Sequence, residues 1–365
     1  MHRRCPERPS YWHAEDNKPQ HAATSMAKVF KVQAKAAFKK NDGNRKFDHR
    51  LQQFAKILAG VQPADEGEFL LEGKPISLGS VREAMEAGYP NVTAPLKLER
   101  GDVASGMKNA KHRIKAQMEI GGQDHMYLEG HISFAIPGED EDVLLYTSTQ
   151  HPTEAQVIVA QVLGVAAHAV TVKVRRMGGG FGGKESQMNL FASVAALAAK
   201  KWNAPVKIRP DRDQDMSATG KRHDFSVDYE VGFDESGRIE AVEGQFAARC
   251  GFAADLSGPV TDRALFHADN AYYYPNVKLT SRPMKTNTVS NTAFRGFGGP
   301  QGVIVAERMI EEIAYALGKD PLEIRRANFY GGEGKNLTPY HQVVDDSIIE
   351  RIVDELEASA DYQER

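Results

Sequence analysis

Cysteine is scarce in this chain: Cys5 and Cys250 are the only 2 in 365 residues. Two thiols cannot hold a four-thiolate iron–sulfur cluster or an all-thiolate zinc site, so any such centre would sit on a partner. Long apolar runs are missing too. The longest mostly apolar stretch, Leu190 to Ala199, falls short of the roughly 20 residues that a bilayer-spanning helix needs. No basic stretch followed by an apolar segment opens the chain, so no secretory signal is expected. With so few cysteines, this predicts a reducing, cytoplasmic setting and no membrane partner. Dense Lys/Arg blocks are also absent, which argues against nucleic acid as a partner.

What is present is ordinary for a folded protein: 41% apolar and 26% charged residues. The net charge of −3 hides an asymmetry, because residues 1–50 carry an excess of Lys and Arg and the remainder an excess of Asp and Glu. The basic head mixes its charges with Gln, Asn and His and reads as a solvated tail. Residues 1–90 form a separate N-terminal segment, irregular over 1–25 and with candidate helices over 26–60. From there the texture changes. Residues 91–330 alternate strands with helices, and 331–365 close with a helix over Ile348–Glu357.

Several elements are legible. Strands are predicted over Val143–Thr149 and Ala169–Val174, and helices over Glu154–Leu163 and Glu185–Lys201. Phe225, Val227, Tyr229, Val231 and Phe233 alternate strictly, which is a strand with one buried face. Asp234 to Arg238 then turns the chain into a hairpin. A helix over Gly302–Leu317 ends at Gly318, and Asp320-Pro321-Leu322-Glu323 starts the next. The fold class is α+β, with mixed sheets and packed helices.

The strongest local signal is Met177-Gly178-Gly179-Gly180-Phe181-Gly182-Gly183-Lys184-Glu185, between a strand and a helix. Five glycines in six positions let the backbone approach a ligand closely, and amides at the helix start would favour an anion. A nucleotide P-loop does not fit, because Glu185 stands where Ser or Thr would bind Mg²⁺. A dinucleotide fingerprint does not fit either, since Arg175 and Arg176 precede the loop and Lys200 and Lys201 replace the expected acid. A second glycine-rich stretch, Asn291 to Gln301, repeats the mix of Phe, Gly and Arg before another helix. Phe181 and Phe297 would offer flat walls to a planar ring, and Arg295 a multi-donor fork.

With Gly121-Gly122-Gln123-Asp124-His125-Met126-Tyr127-Leu128-Glu129 the pattern resembles the glutamine loop of the molybdenum hydroxylases, the xanthine dehydrogenase and aldehyde oxidase family. Ser148 to Pro152, Arg176 to Glu185, Thr219 to His223, Arg263 to Phe266 and Thr292 to Gln301 resemble further family segments in the right order. The resemblance implies a molybdenum centre held by a pterin dithiolene (molybdopterin), with Gln123, Phe181 and Arg295 around the metal and Gly182 in the cofactor cradle. It implies Glu185, Arg263 and Phe297 as substrate-pocket residues, the first two marking purine rather than aldehyde oxidisers. The implied reaction hydroxylates hypoxanthine or xanthine with oxygen from water. Iron–sulfur and FAD centres on partner chains would take the electrons.

One departure matters. The family's molybdenum-binding portion is about twice as long as the matched region, and its general-base glutamate lies in the later half. Nothing after Phe329 resembles that half, so no catalytic base is expected in this chain. The expectation is therefore the first half of a molybdenum subunit, inactive alone. A non-catalytic remnant and an aldehyde oxidase-type enzyme are the alternatives.

Overall fold

The computed structural model describes residues 70–71, 74–75, 81–86, 88, 90–331 and 334–364. The helices expected over 26–60 lie outside the described residues. Two short paired strands, β1 (Leu70–Leu71) and β2 (Lys74–Pro75), belong to one unit, and the described residues from Val81 onward to another. In chain order the second unit begins with α1 (Val81–Glu86), β3 (Lys97–Arg100), α2 (Val103–Asn109) and β4 (His112–Ile120). It continues with β5 (Ser133–Pro137), β6 (Val143–Thr147), α3 (Pro152–Leu163), β7 (Val170–Lys173), α4 (Met188–Trp202), β8 (Val206–Ile208) and α5 (Arg212–Ala218). Then come β9 (Phe225–Phe233), β10 (Ile239–Gly251), α6 (Ser257–Phe266), β11 (Val277–Lys285), α7 (Gly299–Leu317), α8 (Pro321–Asn328) and α9 (Ile349–Ser359).

The strands form two mixed sheets, ordered β3-β11-β10-β9-β4 and β7-β6-β5-β8. Strand β9 buries Phe225, Val227, Tyr229, Val231 and Phe233 in one apolar cluster with Val305, Met309, Ile310 and Ile313 of α7. Each such side chain, fully buried, contributes about 1.5–3 kcal/mol of transfer free energy, which is why the alternation in this segment commits it to a strand. The turn into β10 is the expected hairpin: Asp234 Oδ1 accepts from the amides of Ser236 (2.8 Å) and Arg238 (3.0 Å). The second sheet packs Ala135, Val143, Leu145 and Val170 against α3 and α4. Among the described residues no helix is long and apolar enough to cross a membrane.

One boundary departs from expectation and bears on the site. The helix expected from Glu185 begins at Met188, and residues 182–187 form turns instead. The reason is a side chain remote in sequence. Gln150 Oε1 accepts from the amides of both Gly182 (2.9 Å) and Lys184 (3.2 Å), holding these residues out of the helix.

Loops leaving β4, β6, β7 and β11 and the loop entering β9 meet at one place. Backbone hydrogen bonds join them: Gln150 to Lys184, Arg222 to Gln123, Thr292 to Lys221 and Arg295 to Phe181.

Candidate cofactor and substrate site

The glycine loop is packed from beneath. A Cβ at Gly182 would lie 2.6 Å from the Ala293 carbonyl oxygen, and φ there is +98°, so only glycine fits. Lys184 is buried and spends its ammonium on the Glu129 carbonyl (2.6 Å), the Glu129 carboxylate (3.1 Å) and Ser148 Oγ (2.7 Å). It cannot reach a phosphate, which disposes of the P-loop reading. Burial alone would raise the Glu129 carboxyl, but Ser148, the Gly178 amide and Lys184 outweigh it and hold it below its usual range.

The backbone amides of the glycine loop divide into two groups. The amides of Gly178, Gly182, Gly183, Lys184 and Glu185 already bond protein acceptors. Those of Gly179, Gly180 and Phe181 have no acceptor among the described residues.

The two glycine-rich loops do meet. The Arg295 amide donates to the Phe181 carbonyl (2.9 Å), and both Phe181 and Phe297 adopt left-handed backbone, φ +53° and +51°. Gln123 is tied to the same place through Arg222, a residue sequence reading passed over although it lies in the Thr219 to His223 segment. Arg222 Nε donates to Gln123 Oε1 (2.8 Å), and its Nη2 donates to the Arg295 carbonyl (2.9 Å). Its guanidinium lies 3.8 Å from the Phe294 ring centroid. Acceptance from Arg222 by Gln123 Oε1 orients the Gln123 amide so that its NH₂ remains available. Gln123, Phe181 and Arg295 are all exposed.

Glu185, Arg263 and Phe297 border this cluster by a second route. Ser186 Oγ and Gln187 Nε2, just after Glu185, donate to the Asp255 carboxylate (2.8 and 2.7 Å), which sits ahead of α6. Arg263 lies on α6, and Gly298 and Gly302 press the Phe297 loop and α7 against that helix at Val260 and Ala264. Among the described residues Glu185 and Arg263 form no ion pair, so mutual neutralisation does not explain them. Burial raises the half-buried Glu185 carboxyl above its usual range; His151 opposes this, and Asp255 and Glu154 add to it.

A buried network that sequence reading missed supports the loop from behind. Asp215 accepts from Tyr127 Oη (2.6 Å) and from the His131 amide (2.6 Å), and its Oδ1 lies 3.0 Å from His131 Nδ1. The other ring nitrogen of His131 faces the Gly183 carbonyl at 3.2 Å. Burial would raise the Asp215 carboxyl, but the His131 and Tyr127 hydrogen bonds win and hold it well below the carboxylate range. Nothing in the spacing of residues 127, 131 and 215 announces this cluster.

The cluster suits an oxygen-rich, anionic group. Arg222 Nη1 is buried with no acceptor, beside Gln123 and Arg295. Unsatisfied amides on Gly179, Gly180 and Phe181 add further donors. Among the described residues no three His, Cys, Asp or Glu side chains could themselves hold a metal ion. A metal carried by its own organic ligand, with oxygens needing donors, fits this set.

Comparison with known proteins agrees with that chemistry. Residues 85–329 match the molybdopterin cofactor-binding domain. The xanthine dehydrogenase of Dictyostelium discoideum is 44% identical over 268 residues, 73% of this chain and 20% of that protein. The xanthine dehydrogenase/oxidase of Mus musculus is 45% identical over 271 residues, 74% of this chain and 20% of that protein. The aldehyde oxidoreductase of Desulfovibrio gigas superposes with a TM-score of 0.70 at 25% identity, covering 81% of this chain and 33% of that one. The chain thus spans 20% of the length of these curated relatives.

Proposed function

The chain belongs to the molybdopterin cofactor-binding domain family, and we propose that it supplies one wall of the molybdenum site in a xanthine dehydrogenase-type hydroxylase acting on hypoxanthine or xanthine. The observation that carries this reading is the continuous chain from Gln123 through Arg222 to Arg295 and Phe181, with an unsatisfied guanidinium nitrogen at its centre.

When bound, the molybdenum–molybdopterin group supplies a redox-active metal able to insert water-derived oxygen at an electron-poor ring carbon. The chain's own residues hold and orient. Gln123 and Arg295 offer N–H donors to the group's oxygens, and Gly182 lets the backbone approach it. Phe297 and Phe181 offer flat surfaces to a planar substrate. Glu185, raised by burial, accepts from or donates to a ring nitrogen. Arg263, exposed and without a carboxylate partner among the described residues, stabilises charge building on a carbonyl oxygen during attack on the ring.

The remaining parts lie outside this chain: a general-base glutamate in the second half of the molybdenum portion, and iron–sulfur and FAD centres on partner chains in the cytoplasm. The aldehyde-oxidising alternative is disfavoured because family members of that kind have apolar residues in place of Glu185 and Arg263.

The test is co-expression of this chain with a polypeptide carrying the second half and the electron-transfer domains. Molybdenum content and xanthine turnover are then measured. Arg295→Ala and Gly182→Val are each expected to lower molybdenum content. Wild-type metal loading in both variants would show that these loops are not the cradle, and metal loading without turnover would point to a non-catalytic remnant.

A further inference from the structure

Helices α3 and α4 pack on one face of the four-stranded sheet. On its other face one row of side chains crosses all four strands. Register pairs Lys173 with Tyr146, Tyr146 with Phe134, and Phe134 with Lys207. Two aromatic rings on the central strands are thus flanked by an ammonium on each edge strand. The rings lie 6.4 Å apart at 28°, and Lys173 Nζ sits 5.8 Å from the centre of the Tyr146 ring.

Arg175 and Arg176 lie just past the end of β7, after Val174, and with the row they border a cleft of about 430 Å³. That volume falls within the roughly 300–1,000 Å³ of small-ligand sites. None of the four cations has a carboxylate partner among the described residues. The one carboxylate bordering the cleft, Glu129, is engaged by Lys184, Ser148 and the Gly178 amide. None of the seven candidate cofactor and substrate residues borders it.

We propose that this cleft binds a nucleoside phosphate, its flat heterocycle stacked on Tyr146 and Phe134 and its phosphate held by Lys173, Arg175 and Arg176. Aromatic side chains on the central strands of an open four-stranded sheet are a stacking platform for bases, because every base has a π-face. Guanidinium groups at the rim match phosphate geometry with paired N–H donors. An acidic protein segment would use the cations but would have no need of two neighbouring rings. A cleft of about 430 Å³ suits one nucleotide rather than a strand of them. The inference does not rest on the proposed molybdenum function, since it uses other residues.

The experiment is calorimetric titration of the 365-residue chain with AMP, adenosine, inorganic phosphate and a single-stranded oligonucleotide. Saturable AMP binding is expected, at least about tenfold tighter than binding of adenosine or of phosphate. Tyr146→Ala and the double substitution Arg175→Ala with Arg176→Ala should each weaken it about tenfold with unchanged circular dichroism. If Tyr146→Ala fails to fold, the double substitution on exposed positions carries the test. The idea is overturned if no saturable AMP binding occurs below about 1 mM. It is equally overturned if phosphate or adenosine alone binds as tightly, if the oligonucleotide binds far more tightly than AMP, or if the variants bind like the wild type.

Discussion

Arg263 and Glu185 show what single residues decide. Arg263 has no carboxylate partner among the described residues, so no neighbouring acid neutralises its charge. In an assembled enzyme, Arg263→Met should cut xanthine turnover by on the order of 10², the scale of losing one charge-stabilising donor, while sparing aromatic aldehydes. Steady-state rates on both substrates check this, and full xanthine activity in the variant would sink the purine assignment. Two buried carboxylates make opposite pH predictions. Asp215 is depressed in the folded protein by His131 and Tyr127, so its stabilisation is present above the ordinary carboxylate pKa of 3.8 and lost as pH falls below it. Asp269 is pushed up to about 6 by burial, against the Tyr330 hydrogen bond, so it costs stability as pH rises from 3.8 towards 6. Denaturant melts should therefore show Asp215→Asn losing the acid dependence along with stability at neutral pH. Asp269→Asn should flatten the profile between about pH 4 and 6. Of these residues, Glu185 and Arg263 stand in family-like motifs, and their proposed roles rest on that resemblance. Asp215 was not, because its partners lie far away in sequence.

At the scale of elements, the contact between α6 and α7 fixes where Arg263 stands relative to Phe297. Gly302 lies within α7, where a Cβ would run into the Ala264 carbonyl of α6. Gly302→Ala should push the helices apart at a cost of about 1–3 kcal/mol, the range for overpacking a tight site. The expected result is a lower melting temperature and a raised KM for xanthine in an assembled enzyme. Molybdenum content should change little, because Gln123, Phe181 and Arg295 are joined by other contacts. A normal melting temperature would mean that the helices tolerate the extra methyl. Helix and strand identity was largely legible: β9 from its alternation, α3 and α7 from the glycines that end them, and α8 from its Asp cap and Pro. The start of α4 was not, since it depends on Gln150 capturing the Gly182 and Lys184 amides.

For the whole molecule, the chain spans 20% of the length of its curated relatives, so turnover is expected only in an assembly. The isolated 365-residue protein is expected not to oxidise hypoxanthine or xanthine, since loss of a positioned base would by itself cost about 10²–10⁴ in rate. Robust turnover by the chain alone, followed spectrophotometrically, would show that it contains a base of its own. Local order, the α+β class and the family resemblance follow from sequence by itself, because periodicity, caps and short motifs act over a few neighbouring residues. Only the tertiary structure could join Gln123 to Arg295 through Arg222, bury Lys184 on Glu129, and align Lys173, Tyr146, Phe134 and Lys207 in one row. Each of those arrangements links residues on separate loops or strands. Their meeting is set by strand register and core packing, which no local pattern encodes.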